Sequence, residues 1–233
     1  MGEFDQKRIL RKLDLEIFLS KIVSYESPNI HLEQYVTPER VAARILYIAA
    51  YSRGDIIGKR ILDLGCGTGR FALGASYLGA KEVVGIDIDN KAIEVALKNE
   101  KKVGLQNRIQ WIIGEINSIT GKFDTVLQNP PFGVQRSKAD RPFLQKALEV
   151  GKTVYSLHNH PKFDECLIRK LKDNSEVIEV QTNPFIDRFI AKNNGEVQNV
   201  YAIPLTIPRT FDFHKVIKKR IVVDLYIIKS LLR

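Results

Sequence analysis

A rigid polar loop follows an apolar run in the middle of the chain. It consists of Asn129, Pro130, Pro131 and Phe132. Two prolines fix the backbone at the end of a strand, the edge at which open α/β sheets bind ligands. The Asn129 side-chain oxygen and the Pro130 carbonyl can accept both N–H groups of one amine, which aims its lone pair at an electrophile, while Phe132 offers a base a flat surface to stack on. We therefore predict that these four residues catalyse a reaction at an amino group.

A glycine-rich turn earlier in the chain predicts a nucleoside-containing cofactor. The pattern acid-x-Gly-x-Gly-x-Gly at residues 63–69 follows an apolar run and precedes a helical pattern, and the next strand pattern ends in Asp87. Glycines let the backbone approach a ligand, and an acid at the end of the second strand can accept hydrogen bonds from ribose hydroxyls. An acid directly before the glycines would repel a pyrophosphate but suits the positive charge of S-adenosylmethionine. The predicted cofactor-binding residues are Asp63, Gly65, Gly67, Thr68, Gly69, Asp87 and Glu115, the last for the adenine amino group.

Alternating strand and helix patterns position these two motifs. Strands are predicted at residues 60–64, 82–87, 108–113, 123–128 and 153–157, with helices at 69–78, 90–103 and 142–150 between them. Such alternation predicts parallel strands joined by right-handed helical crossovers. Further on, the patterns indicate a helix at 163–172, a short strand at 177–180, a helix from Pro184, and strands at 197–205 and 221–228.

The N-terminal residues predict a helical extension, and the composition indicates the class of protein. Residues 7–23 have helical spacing, and Pro38 is predicted to begin a second helix with Thr37 as its N-cap. We predict one domain over residues 1–233, with residues 1–53 as a helical extension.

No apolar run reaches the length of a membrane span, and no signal-peptide pattern is present, so a cytoplasmic protein with reduced Cys66 and Cys166 is expected. The net charge of +9 at pH 7 favours a nucleic-acid partner.

Several segments together resemble a known family. They lie at residues 31–38 (HLEQYVTP), 129–133 (NPPFG), 135–144 (QRSKADRPFL), 154–158 (VYSLH) and 213–215 (FHK). With the glycine motif, they are similar to the archaeal relatives of the methyltransferase-like family whose eukaryotic member makes N6-methyladenosine in small-subunit ribosomal RNA. The glycine and NPPF motifs alone are shared by many amino-methyltransferases, whereas the segment around residues 32–37 is more specific. The resemblance covers residues 28–228.

The resemblance implies more than the motifs alone. It implies a Rossmann-like α/β fold with a seven-stranded sheet, its last strand antiparallel, and helices on both faces. It places Gln34 and Thr37 over the cofactor, beside the glycine loop, Asp87, Glu115 and Ile116. It also implies a small zinc-binding activator protein as a partner. Residues 162–182 look like an insertion relative to shorter archaeal relatives.

Basic and aromatic residues that interleave predict the RNA-contacting surface. Unpaired bases stack on aromatic rings while their phosphates pair with basic groups. The predicted contacts are Arg136, Lys138, His158, Phe213, His214, Lys215, Lys218, Lys219 and Arg220. The predicted reaction is methylation of an exocyclic amine, with adenine N6 of ribosomal RNA as the favoured target. A protein glutamine amide, guanine N2 and cytosine N4 remain alternatives, as does a non-enzymatic RNA-binding scaffold; no metal is required.

Overall fold

A mixed β-sheet with helices on both faces forms the body of the protein. The computed structural model describes residues 10–24, 32–34, 36–132, 138–160, 167, 169–171, 177–208 and 218–232. The strands are β1 (Arg60–Leu64), β2 (Glu82–Asp87), β3 (Ile109–Ile113), β4 (Phe123–Gln128), β5 (Gly151–Asn159), β6 (Ile178–Glu179), β7 (Gly195–Pro208) and β8 (Lys218–Ser230). The helices are α1 (Lys12–Ser20), α2 (Glu39–Tyr47), α3 (Arg70–Tyr77), α4 (Asn90–Lys102), α5 (Asp140–Val150) and α6 (Pro184–Lys192).

The strand order confirms the predicted α/β class and corrects the strand count. The sheet runs β3-β2-β1-β4-β5-β8-β7-β6. The first five strands in this order are parallel, and β8 is antiparallel to β5, as predicted for the last strand. The resemblance implied seven strands, but the sheet has eight, because Ile178–Glu179 pairs with the outer side of β7. This eighth strand confirms the short strand that the sequence pattern predicted at residues 177–180. This extra strand lies inside the segment predicted to be an insertion.

The two faces of the sheet are covered by different helices. Alternating side chains of each strand point to opposite faces, so Ile61 and Leu62 belong to different core clusters. The N-terminal extension, α1 and α2, packs with α3 over one face. Helices α5 and α6 cover the other face. The carboxyl ends of the parallel strands are therefore left between two helical layers, and both predicted motifs lie at this edge.

Helix starts differ from the sequence predictions in one informative position. Helix α2 begins at Glu39 with Pro38 at the N-cap position, and no side chain caps it. Thr37 was predicted to be this cap. Its hydroxyl instead accepts a hydrogen bond of 3.0 Å from the Asn129 side chain. A residue at the start of a helix thus contacts the predicted catalytic loop, residues 129–132, and a local sequence pattern cannot indicate such a contact.

Candidate active site

A pocket opens at the carboxyl ends of β1, β2 and β4. Its volume is about 520 Å³, on the scale of small-molecule and cofactor sites. It brings together most of the residues predicted from the sequence: Gln34, Thr37, Asp63, Gly65, Gly67, Thr68, Asp87, Glu115, Ile116, Asn129 and Pro131. Because these residues come from several separate segments of the chain, only the tertiary fold could unite them.

Two glycines of the loop are required by close packing. Gly65 has φ +72°, and a Cβ there would lie 2.8 Å from the ring of Phe143, which itself lines the pocket. Gly69 has φ +84°, precedes α3 and would clash with Trp111 at 2.5 Å. Gly69 does not line the pocket, so its contribution is conformational. Phe143 is a pocket residue that the sequence did not predict. It lies on the amphipathic helix α5, where an apolar residue is expected to belong to the hydrophobic core.

Asp63 is a buried carboxylate at the base of the pocket. It is 1% exposed, and one oxygen accepts a hydrogen bond of 2.8 Å from the backbone N–H of Ala72. Burial raises the pKa of Asp63 to about 7, although the Ala72 hydrogen bond opposes that shift. A cation bound nearby would stabilise the ionised form. This is the chemistry expected for the positively charged end of the predicted cofactor.

Asp87 ends β2 and is fixed by backbone donors. One carboxylate oxygen accepts from the N–H of Gly67 at 2.8 Å, and the other accepts from the N–H of Asp89 at 3.0 Å. Burial nevertheless raises its pKa. Each carboxylate oxygen has more than one lone pair, so both oxygens can also accept hydrogen bonds from ribose hydroxyls. The two backbone donors therefore restrain the orientation of the carboxylate.

The N-terminal segment forms one wall of the pocket. Gln34 donates a hydrogen bond of 2.7 Å to Asp89, the N-cap of α4. The Arg70 guanidinium donates to the carbonyls of Thr37 at 2.7 Å and Ile22 at 3.0 Å. Arg70 begins α3 directly after the glycine loop. It therefore connects the cofactor loop to both ends of the segment that joins α1 and α2.

Asn99 provides a second anchor that sequence reasoning missed. Its side chain is fully buried, bonds both backbone groups of Val23 at 2.9 and 3.1 Å, and donates to the Thr68 carbonyl at 3.0 Å. The available signal was a polar residue on the buried side of α4. Ile93 and Ala96 lie on the same side, which places Asn99 among core positions.

The predicted catalytic loop, residues 129–132, begins where β4 ends. Asn129 lines the pocket, and its Nδ2 donates a hydrogen bond to Thr37 Oγ1, which restrains the orientation of the side-chain amide. Pro130 is buried, and Pro131 lines the pocket. Phe132 is half-buried and packs against the core cluster on the face of the sheet that α1, α2 and α3 cover. Its predicted role as a stacking surface stays a prediction.

The predicted RNA contacts divide into three groups. Lys138 is exposed and lies at the rim of the pocket. His158 is only 2% exposed and lies beneath α5, so its burial argues against a direct contact with RNA. Arg136, Phe213, His214 and Lys215 lie outside the described residues. The backbones of Lys218, Lys219 and Arg220 begin β8, while their side chains lie outside the described part of the structure.

The pocket fits the predicted cofactor by the chemistry of its groups. Ribose, adenine and a cationic amino-acid end would meet Asp87, Glu115 and Asp63, respectively. Within the described part of the chain, no cluster of three or more metal-ligating side chains occurs. The same residues contain no helix long and apolar enough to cross a membrane.

Comparison with known proteins identifies the family. Residues 57–204 match the model of a methyltransferase domain, which is more than half of the chain. The chain is 33% identical to an uncharacterized protein of Methanocaldococcus jannaschii over 219 residues, covering 89% of both chains. It is 31% identical to the rRNA N(6)-adenosine-methyltransferase Mettl5 of Drosophila melanogaster over 224 residues, covering 93% of this chain and 94% of that one.

A solved structure extends the likeness to the fold. A candidate RNA methyltransferase of Pyrococcus horikoshii superposes with a TM-score of 0.79 and 36% identity, covering 97% of this chain and 100% of that one. Sequence motifs, pocket chemistry, the matching domain and this superposition agree. The chain therefore belongs to the family of S-adenosylmethionine-dependent methyltransferases.

Proposed function

We propose that this protein methylates an exocyclic amino group, adenine N6 of small-subunit ribosomal RNA. The observation that carries the proposal is the placement of Asn129 on the wall of the cofactor pocket, with its amide orientation set by Thr37. The likeness to the Drosophila ribosomal RNA adenosine methyltransferase supports the substrate. The net charge of +9 also supports a polyanionic substrate.

The residues of the pocket suggest how transfer to nitrogen is promoted. Bound in this pocket, S-adenosylmethionine supplies an electrophilic methyl group. The amino group of a base is a poor nucleophile because its lone pair is delocalised into the ring. Asn129 Oδ1 and the Pro130 carbonyl would each accept one N–H, which orients the nitrogen and stabilises the positive charge that develops on it. Both acceptors belong to the loop at the end of β4, and Thr37 restrains one of them.

A protein glutamine amide is the nearest alternative substrate, since its NH2 group offers the same two donors. Guanine N2 and cytosine N4 offer them as well. A base inside a duplex must first be flipped out at a cost of a few kcal/mol, so an unpaired adenine is the easier substrate. A non-enzymatic scaffold would have no use for a restrained Asn129 beside a cofactor pocket. Incubation with labelled cofactor and either ribosomal RNA or total cell protein distinguishes these substrate classes.

Asn129→Ala is the direct test of the mechanism. It removes one acceptor, so single-turnover methyl transfer to ribosomal RNA should fall roughly a hundredfold or more. Cofactor affinity should change little, because the loss concerns the transition state. Phe132→Ala should instead raise the apparent KM for RNA if its ring stacks on the base. Near-parental transfer by folded Asn129→Ala would refute amino-group methylation through this loop.

A further inference from the structure

The motif at residues 154–158 contains side chains that form a buried chain of hydrogen bonds beside the catalytic loop. Gln128 Nε2 donates to Ser156 Oγ at 2.9 Å, across neighbouring positions of β4 and β5. Ser156 Oγ lies 2.8 Å from His158 Nε2, and His158 Nδ1 lies 3.0 Å from Asp140 Oδ2. This hydrogen-bond chain therefore joins the last residue of β4 to the first residue of α5. These are the two elements that flank the catalytic loop.

The hydrogen bonds at the two ends of this network have a defined direction. Burial alone would raise the pKa of Asp140, but the His158 hydrogen bond and nearby positive charge outweigh it and lower the pKa, so the carboxylate is ionised and only accepts. His158 therefore donates from Nδ1 to Asp140. The Gln128 amide nitrogen only donates, so Ser156 Oγ accepts from it. The contact between Ser156 Oγ and His158 Nε2 closes the network between these two ends.

These polar residues occupy positions where apolar ones would cost less. Gln128 is 1% exposed, Ser156 is fully buried and His158 is 2% exposed. Among the described residues, Gln128 Oε1 is a buried atom without a hydrogen-bond partner, which is a cost to stability. A polar group kept in the core despite such a cost points to a role in setting geometry.

The hydrogen-bond chain from Gln128 to Asp140 restrains the loop of residues 129–132 from the face of the sheet opposite to Thr37. Gln128 and Asn129 are consecutive, so their side chains leave the strand toward opposite faces of the sheet. Asn129 bonds Thr37 under the N-terminal extension, while Gln128 bonds Ser156 under α5. At the far end, Asp140 begins the helix whose Pro142 and Phe143 line the pocket. The two anchors together fix the backbone that presents both acceptors.

We propose that His158, acting through Ser156 and Gln128 and held by Asp140, is a positioning residue that orients the Asn129–Pro130 acceptors for methyl transfer. The proposal rests on the proposed function, since it concerns the same loop. His158 touches neither substrate nor cofactor in this role. Its loss should therefore reduce turnover without weakening the binding of either one.

The kinetic test uses His158→Phe and Ser156→Ala. His158→Phe keeps a ring that can pack edge-on against Tyr226, as the imidazole does at 5.2 Å, but removes both hydrogen bonds. Ser156→Ala removes one oxygen atom from the middle of the chain, so it tests the proposal even if the larger change impairs folding. Each should lower single-turnover transfer roughly ten- to a hundredfold, with KM for RNA and Kd for S-adenosylmethionine within about twofold of the parent.

Tyr155→Phe is the matched control. Tyr155 lies on β5 next to Ser156 and is as deeply buried as Ser156 and His158. Tyr155→Phe removes a single hydrogen bond of 2.6 Å to Asp55. That hydrogen bond is not part of the hydrogen-bond chain from Gln128 to Asp140. Its turnover should stay near that of the parent after comparable destabilisation in thermal melting. Equal losses in Tyr155→Phe and Ser156→Ala would overturn the proposal, as would parental turnover in folded Ser156→Ala. A raised KM for RNA with unchanged turnover would instead make His158 an RNA contact.

A spectroscopic measurement tests the chain independently of any substrate. Nitrogen-15 NMR of the His158 imidazole should show a proton on Nδ1 in the parent protein. Ser156→Ala should shift the Nε2 resonance, because its hydrogen-bond partner is absent. An Nδ1 without a proton would overturn the proposed hydrogen bond to Asp140. If the parent does not methylate ribosomal RNA, the proposed function fails, while this measurement still decides the hydrogen-bond arrangement.

Discussion

At the scale of single residues, the burial of Asp63 makes its ionised form unfavourable. The Asp63 carboxylate has a pKa of about 7 against an ordinary value of 3.8, and burial is the main cause. Between these values, the unfolded chain has lost this proton and the folded chain has kept it. The folded state therefore loses stability at this position as pH rises from about 4 to 7. A cationic ligand would reverse the penalty by favouring the ionised form.

Replacing Asp63 with asparagine should reveal this penalty. The amide side chain would be neutral at every pH and could still accept the Ala72 hydrogen bond. Without cofactor, the variant should gain free energy of unfolding relative to the parent as pH rises from 4.5 to 7.5, by up to roughly 4 kcal/mol for a shift of this size. Urea unfolding at several pH values measures the difference. A difference that does not depend on pH would show that Asp63 keeps its ordinary pKa.

Cofactor binding should show the opposite pH dependence. In the parent, affinity for S-adenosylmethionine should rise between about pH 6 and 7.5 and should be accompanied by proton release, because the positive charge favours ionised Asp63. Asp63→Asn should bind more weakly and with a flatter pH profile. Calorimetry in buffers of different ionisation enthalpy measures both quantities. 5′-Methylthioadenosine, which lacks the amino-acid end and its positive charge, is the matched ligand control and should bind with a flatter pH profile.

At the scale of elements, the cofactor pocket depends on the attachment of the N-terminal extension. The carbonyls of Ile22 and Thr37 accept from Arg70, and both backbone groups of Val23 bond Asn99. Asn99 also binds the Thr68 carbonyl in the glycine loop. Helices α1 and α2 are thus fastened to the cofactor loop by buried polar groups. The extension is a structural part of the site.

Asn99→Ala should weaken cofactor binding at a distance. The change removes the donor of the buried Thr68 carbonyl, and the loss of a hydrogen bond by a buried group typically costs about 1–3 kcal/mol. It also releases the backbone groups of Val23 from α4. Affinity for S-adenosylmethionine should fall at least fivefold, although Asn99 does not line the pocket. Calorimetry and thermal melting measure the two effects separately.

Glu100→Gln is the control for Asn99→Ala. Glu100 is the next residue of α4, is also buried and also makes three hydrogen bonds, to the backbone N–H groups of Arg108 and Ile109 and to Trp111. Its contacts lead to β3 and not to the N-terminal segment. It should lower the melting temperature with little change in cofactor affinity. Similar affinity losses in both variants would mean that general destabilisation explains the Asn99 result.

At the scale of the whole molecule, the excess of positive charge predicts salt-sensitive binding of a polyanion. Replacing Lys218, Lys219 and Arg220 together with Ala should weaken RNA binding and flatten its salt dependence, because a protein that pairs with fewer phosphates releases fewer counterions. Cofactor affinity should not change. Filter binding or fluorescence anisotropy over a range of salt concentrations gives the slope.

A second triple variant separates location from charge. Lys98, Lys101 and Lys102 are exposed near the end of α4 and lose the same formal charge when changed to Ala. Helix α4 starts after the carboxyl end of β2, so its last turn lies away from the active-site edge. This variant should leave the salt slope close to that of the parent. Equal slopes in the two triples would place the RNA elsewhere.

The exposed edge of the sheet bears on the predicted activator protein. Strand β3 is the outermost strand on its side of the sheet. Its last residue, Ile113, is 59% exposed, and Ile88, directly after the end of β2, is 54% exposed. An open strand edge with apolar neighbours can pair with another chain. A small zinc-binding protein of the same cell should co-purify and raise the melting temperature or activity, and Ile113→Glu should reduce both effects. A monodisperse, fully active chain that retains no such protein in pull-downs would refute this prediction.

The sequence by itself determined the elements and the nature of the chemistry. The strand bounds Arg60–Leu64, Glu82–Asp87 and Phe123–Gln128 are confirmed as predicted, since short apolar runs ended by glycine, acid or proline leave few alternatives. Glycine at a positive φ and proline after Asn129 act locally, so their consequences can be predicted from neighbouring residues. The pocket residues of the glycine turn and of the Asn129–Phe132 loop were predicted for the same reason, whereas Gln34, Thr37 and Ile116 were predicted from the family resemblance.

Only the tertiary structure decided which distant residues share a contact. Thr37 was predicted to cap a helix and instead bonds Asn129, while His158 was predicted to meet RNA and instead lies beneath α5. In both cases, the partner is far away in the sequence and is brought near by the order of strands in the sheet. Polar residues keep their hydrogen-bonding capacity in either environment, so residue type alone cannot distinguish a surface role from a buried one. The pairing of β6 with β7, which made the sheet eight-stranded, is likewise a long-range contact that no local pattern specifies.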